Sequence, residues 1–218
     1  MSRFRTIVFD FDGTIANTLP LIYRTFNAVL EPRIGRTLPD AEIRSQFGPP
    51  DQTILGRYVG EVEQAAAYAE YVERYERDHA EHVYVFDGIH ELLVQAKADG
   101  IRVGVMTGKS RVTARISFHA LGIDDLIDVL VAGDDVKNPK PHAEGVIKVL
   151  AELGHTPDEP GAMVGDMAAD VYAGRDAGLT TIGVTWGAPE HDELRAANPD
   201  IICSSTTELA AALALQLG

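Results

Sequence analysis

A single cysteine, Cys203, excludes an internal disulfide. A lone thiol suits a reducing cytoplasm, and Cys203 reads as a small buried hydrophobe in a late strand. Basic residues are also scarce. Nineteen Lys and Arg against 33 Asp and Glu give a net charge of −14, which argues against a polyanion such as nucleic acid as the main partner. A negatively charged substrate gains nothing from the field of the whole molecule, so local cations must hold it. Long apolar runs are absent as well. The run from Ile7 to Phe11 follows Arg3 and Arg5 but is broken by Asp10, too short for a signal peptide or a membrane span. There is no internal repeat. These absences predict a cytoplasmic protein, monomeric or homodimeric, with neither membrane nor nucleic acid as partner.

What is present is ordinary globular composition, 45% hydrophobic and 24% charged over 218 residues, enough for one large α/β domain or for a core with an appendage. Arg5 to Phe11 reads as a buried strand that ends in acids and Gly. From Asn17 to about Tyr84 the strand signal vanishes. Asn17 and Thr18 open a helix that carries Pro20 in its first turn, and Pro39-Asp40 opens a short one. Gln46 to Pro50 is a turn. A long helix is expected from Glu61 to Glu81 with Val62, Ala65, Ala69, Val72 and Tyr75 as its apolar face. His79 and His82 near its end read as a solvated helix terminus. After Asp87-Gly88, helices at 89–98, 111–121, 143–153, 168–177 and 207–217 alternate with strands at 101–107, 128–132, 162–165, 180–184 and 201–202. Such alternation predicts a doubly wound parallel sheet of Rossmann-like α/β type. The first strand belongs to that sheet, so an α-helical cap domain, residues 17–84, is inserted into a core of residues 1–16 and 85–218.

Ligands of doubly wound sheets bind beyond the carboxyl ends of the strands. After the first strand come Asp10, Asp12, Gly13 and Thr14; after the second, Thr107, Gly108, Lys109 and Ser110. Past the third comes Lys137-Asn138-Pro139-Lys140-Pro141, and after the fourth Asp166, with Asp170 on the same face of the helix start. Strand ends thus collect four carboxylates, a hydroxyl and an ammonium.

These pieces, in this order, resemble the haloacid dehalogenase-like hydrolase superfamily, whose signature is a DxDxT loop, a Thr or Ser after the second strand, a Lys and a GDxxxD acid pair. The resemblance covers essentially the whole chain, cap included, and looks most like phosphoglycolate phosphatases, with inorganic pyrophosphatases of the same subgroup next. It implies a Mg²⁺-dependent phosphatase of a small phosphorylated metabolite that works through an aspartyl-phosphate. The residue types suit that chemistry: a carboxylate nucleophile splits hydrolysis into two steps, and a hard cation offsets its repulsion from phosphate. By resemblance, Asp10 is nucleophile and metal ligand. The Asp12 carbonyl, Asp166 and Asp170 complete the metal site, Asp170 either directly or through water. Asp12 is acid and base, while Thr107, the Gly108 amide and Lys140 bind the phosphoryl oxygens. Gly13 permits a tight loop that Thr14 fixes. The family commonly reads KPxP where this chain reads Lys140-Pro141-His142-Ala143; Lys137 and Lys109 are the alternative ammonium groups. The turn Phe47-Gly48-Pro49-Pro50 is the expected substrate-selecting loop, with Arg44 and Arg57 as candidate anion contacts. Trp186 reads as packing.

Other readings fare worse. A sugar phosphomutase needs a long-lived aspartyl-phosphate and a reorienting cap. A haloacid dehalogenase has no use for Asp12. A phosphoacceptor module of receiver type carries its acceptor after the third strand and lacks a long cap. A non-enzymatic binding protein would have lost one of these residues.

Overall fold

The computed structural model describes residues 4–187 and 191–215. At its centre lies β1 (Thr6–Phe9), four residues buried on both faces, as β-branched and aromatic side chains in a central parallel strand must be. It is flanked by β4 (Arg102–Met106) and β6 (Gly161–Gly165). Outside these lie β5 (Val129–Val131) on one side, and β7 (Thr180–Val184) and β8 (Ile201–Cys203) on the other. The six-stranded order is β5-β4-β1-β6-β7-β8, every pairing parallel. This is the doubly wound α/β sheet that the alternation predicts.

Side chains sort by the two-residue period of a strand. Ile7, Phe9, Val103, Val105, Ala162 and Val164 share one cluster with α4 (Ile89–Ala98), α5 (Arg111–Leu121) and α9 (Thr206–Leu213). Val8, Met106 and Met163 face α6 (Glu144–Glu152) and α7 (Ala168–Asp176). A short α8 (Asp192–Ala196) packs on α7. Cys203 is buried in β8, as expected of a small hydrophobe. The last helix ends at Leu213; residues 216–217 of the expected helix lie outside the described residues.

Between β1 and α4 the chain leaves the sheet. A two-residue strand β2 (Ala16–Asn17) pairs antiparallel with β3 (Tyr84–Val85), which joins the outgoing and returning chain. Everything regular between them is helical: α1 (Leu19–Ile34), α2 (Asp40–Arg44) and α3 (Asp51–His82).

The long helix differs from expectation in its start, its face and the burial of His79 near its end. It begins at Asp51, ten residues before Glu61, and is broken at Gly60 (φ 76°, ψ 171°), so only its second stretch is visible as periodicity. Val62 is 98% exposed, and Ala65 and Ala69 are exposed too; the buried seam is Ala67, Tyr71, Tyr75 and His79 at a spacing of four. An aliphatic count misses it because the seam is aromatic and meets two neighbours. Tyr71 packs on Phe26 of α1 with ring centroids 4.8 Å apart. Toward α5, the Tyr75 hydroxyl and His79 Nε2 each lie 2.9 Å from Ser117 Oγ. His79 is therefore a core residue, and burial lowers its pKa to about 4, which keeps it neutral.

Gly104 lets α6 approach the sheet. A Cβ there would lie 2.3 Å from Val149 Cγ1, in a buried wall with no room to give. Gly104→Ala is expected to lower stability by about 1–3 kcal/mol, read as a fall in the urea midpoint at unchanged slope. Gly122→Asn, at φ +66° with nothing within 4 Å of the added Cβ, is expected to stay close to wild type.

Candidate active site

The carboxyl ends of β1, β4 and β6 and the loop before α6 meet at one point. Asp10 follows β1 directly, and its amide still donates to the Val164 carbonyl (2.8 Å), so the sheet itself sets its position. Asp166 follows β6. Asp170 lies in the first turn of α7, where its Oδ2 accepts from the Met167 amide (3.0 Å). The helix-start role and the site role therefore coexist in one side chain. Lys140 Nζ donates to Asp170 Oδ1 (2.6 Å) and to the Met106 carbonyl (3.2 Å), and pairs with Asp10 Oδ1 at 2.8 Å. All four residues are buried.

These contacts use all three donors of the ammonium. Burial opposes the charge on Lys140, but Asp10 and Asp170 outweigh it and raise its pKa. The acids stay overcrowded. Burial, then Asp170, raises the pKa of Asp10 despite the pull of Lys140, and the same two causes raise that of Asp166. Asp10, Asp166 and Asp170 each offer an oxygen within 4.8 Å of the others, and no other metal-sized cluster, histidines included, occurs among the described residues. The cavity above them is lined by five carboxylates and three cations, an excess of two negative charges. A buried, oxygen-only, doubly negative set fits a hard divalent cation.

Asp12 stands apart from that set through its carboxylate. Its Oδ1 accepts from Thr18 Oγ1 (2.6 Å) and lies 3.4 Å from Lys109 Nζ. Burial opposes the Lys109 charge as well, and Asp12 leads the groups that raise its pKa regardless. Between the two acids Gly13 is required, with φ +80° and an added Cβ only 2.6 Å from Asp166 Oδ2. Thr14 Oγ1 reaches Asp166 Oδ1 at 3.4 Å, and its carbonyl accepts from Trp186 Nε1 (3.1 Å), which makes Trp186 a brace for this loop.

The cavity runs between Asp10, Asp12, Gly108, Lys109, Lys140, Asp166 and Asp170 below and Phe47, Gly48 and Pro49 above, with Leu19, Ile22 and Ile54 as apolar walls and Arg44 at the side. Gly13, Thr14 and Thr107 are buried and do not line it. Thr107 Oγ1 accepts from the Lys109 amide (3.1 Å). Arg57 is exposed and donates to Gln46, which removes it from the candidate anion contacts. Reading strand ends missed Asp51. Its buried Oδ2 accepts from Ser110 Oγ (3.1 Å) and Thr113 Oγ1 (2.7 Å), tying the start of α3 to the start of α5. A lone acid after Pro49-Pro50 carries no local signal of that distant partner.

Comparison with known proteins agrees with this fold. Residues 7–184 match the model of the haloacid dehalogenase-like hydrolase family. The pyrophosphatase PpaX of Bacillus cereus (strain AH820) is 30% identical over 207 residues, 95% of each chain. CbbY from Rhodobacter sphaeroides, solved in complex with phosphate, superposes with a TM-score of 0.83 at 26% identity, covering 97% of this chain and 100% of that one. A predicted phosphoglycolate phosphatase from Haemophilus somnus 129PT gives a TM-score of 0.85 over 97% and 99%, and at 22% identity this is a likeness of fold.

The crowded acids make a stability prediction. Mg²⁺ at a hundred times its dissociation constant is expected to stabilise the fold by about 2.7 kcal/mol, seen as a higher thermal midpoint. Asp166→Asn should raise the metal-free midpoint and abolish most of the Mg²⁺ response. A full response in that variant would remove Asp166 from the cation site.

Proposed function

The chain belongs to the haloacid dehalogenase-like hydrolase family, and from that premise we propose that it is a Mg²⁺-dependent phosphatase of a small phosphorylated metabolite, working through an aspartyl-phosphate on Asp10. The observation that carries this reading is Lys140 wedged between Asp10 (2.8 Å) and Asp170 (2.6 Å) at the sheet's end, with Asp166 beside them and Asp12 at the cavity wall.

In this reading Asp10, Asp166, Asp170 and the Asp12 carbonyl would hold Mg²⁺, which would offset the repulsion between carboxylate and phosphate. The Asp10 oxygen not paired to Lys140 attacks phosphorus; an O–P bond forms and the bond to the leaving oxygen breaks. Asp12 gives its proton to that oxygen, then takes one from the water that hydrolyses the acyl phosphate. The Gly108 amide holds the phosphoryl group, Thr107 beneath the cavity wall orients that loop through the Lys109 amide, and Lys140 joins by releasing its longest donor contact, to the Met106 carbonyl (3.2 Å). Residues 17–84 act as a cap over the core of residues 1–16 and 85–218, and Phe47, Gly48 and Pro49 close the cavity from above.

The far wall supports a substrate class. It is apolar apart from Arg44 and Asp51, and with Asp51 Oδ2 engaged by Ser110 and Thr113 the one guanidinium is matched to one further anionic group. That favours a compact phosphomonoester with a single extra carboxylate, as in phosphoglycolate. Inorganic pyrophosphate is the second reading, supported by the name of the Bacillus cereus relative; its distal phosphate brings more charge than Arg44 alone offsets.

A Mg²⁺-supplemented panel of phosphorylated metabolites, pyrophosphate and p-nitrophenyl phosphate, ranked by kcat/KM, is expected to put a small carboxylated phosphomonoester first. Asp10→Asn is expected to abolish turnover of every member. Wild-type rates in that variant, with contaminating phosphatase excluded, would refute the nucleophile assignment, and pyrophosphate at the top would select the second reading.

A further inference from the structure

Two buried ammonium groups line the cavity, and the mechanism above uses only one. Lys140 has its donors committed to Asp10, Asp170 and a carbonyl. The Lys109 side chain is just as enclosed, 1% exposed, yet it makes no hydrogen bond, and its one ion-pair partner among the described residues is Asp12. Its backbone is pinned on both sides. The amide donates to Thr107 Oγ1 (3.1 Å) and the carbonyl accepts from the Gly133 amide (2.9 Å). Its Nζ rests 4.5 Å above the centre of the Tyr75 ring, which is itself fixed through its hydroxyl to Ser117 Oγ (2.9 Å). The ammonium is thus held in place by the core loop below and by α3 above, and its ion-pair partner, Asp12 Oδ1, lies at 3.4 Å.

That oxygen also accepts from Thr18 Oγ1 at 2.6 Å. A hydroxyl and an ammonium converging on Oδ1 fix the plane of the carboxylate and leave Oδ2 as the oxygen for proton transfer. From this geometry we infer that Lys109 is a positioning residue for Asp12, holding it where it can protonate the leaving oxygen as the bond from phosphorus to that oxygen breaks. The inference rests on the assignment of Asp12 as acid. Because the Tyr75 ring belongs to α3, it also ties the orientation of the acid to the seating of that helix on α5.

The test uses two substrates of the intact enzyme with Mg²⁺: p-nitrophenyl phosphate, whose phenolate departs without a proton, and the best alkyl phosphate of the panel, whose alkoxide does not. The ratio of the two kcat/KM values cancels the concentration of active enzyme, so partial misfolding lowers both and leaves the ratio alone. Lys109→Met is expected to lower the alkyl-to-aryl ratio by about 100-fold, the scale of a general acid's contribution. Asp12→Asn should lower it at least as far, and Lys109→Arg should recover part of it. Should Lys109→Met fail to fold, Lys109→Gln, which keeps a polar end on a similar stem, is read in the same way. An unchanged ratio in the Lys109 variants alongside a lowered one in Asp12→Asn overturns the positioning role alone. An unchanged ratio in Asp12→Asn itself overturns the acid assignment, and the role of Lys109 falls with it.

Discussion

Three buried carboxylates share a space less than 5 Å across with a single ammonium, and the rest of the site is arranged around that imbalance. Lys140 can neutralise one charge and satisfy two acids, but its third donor is already on a carbonyl. Without a further cation, burial drives Asp10 and Asp166 toward their protonated forms. A fold seldom keeps such a cluster for stability, since apolar residues of similar volume would cost less. In the proposed reading the cluster is a place prepared for a divalent cation and a phosphoryl group.

The parallel sheet makes the arrangement possible. Asp10 remains hydrogen-bonded to β6 through its amide, Asp166 leaves the end of that same strand, and Asp170 is turned inward by the start of α7. Each acid is carried by an element whose position is fixed elsewhere, by Ile7 and Phe9 on one face and Val8 and Met163 on the other. The helical insertion supplies the roof and the far wall. It is fastened to α5 by buried polar contacts as well as by apolar packing: Asp51 to Ser110 and Thr113, Tyr68 to Ser110, and Tyr75 and His79 to Ser117. Ser110 follows Lys109 directly, so the loop lining the cavity also receives the insertion.

Much of this was legible in the amino-acid order, for a definite reason. In a parallel sheet, residues just after a strand converge on one edge, so Asp10, Asp166 and Asp170 could be brought together without knowledge of the packing, and Lys140 with them. Strand β7 and helices α4 and α5 fall where periodicity places them. What escaped depends on how one helix rotates against another. Tyr75 falls on the expected apolar face, but Tyr71 is absent from it and His79 reads as a solvated helix end until its partner on α5 is known, while Val62 reads as core although it is exposed. Gly60 hides the first stretch of α3 by breaking its period. Asp51 and the Lys109–Asp12 pair join residues 59 and 97 positions apart or more, across elements whose contact no local pattern announces.

The central claim is that Asp10 carries the phosphoryl group covalently. An acid quench during turnover, followed by borohydride reduction and peptide mass spectrometry, tests it most directly, because reduction converts an acyl phosphate to an alcohol. The account predicts that modification at Asp10 and at no other residue, present only when substrate and Mg²⁺ are both supplied. Reduction at another carboxylate, or none anywhere while substrate is consumed and the intermediate is given time to accumulate, would contradict it.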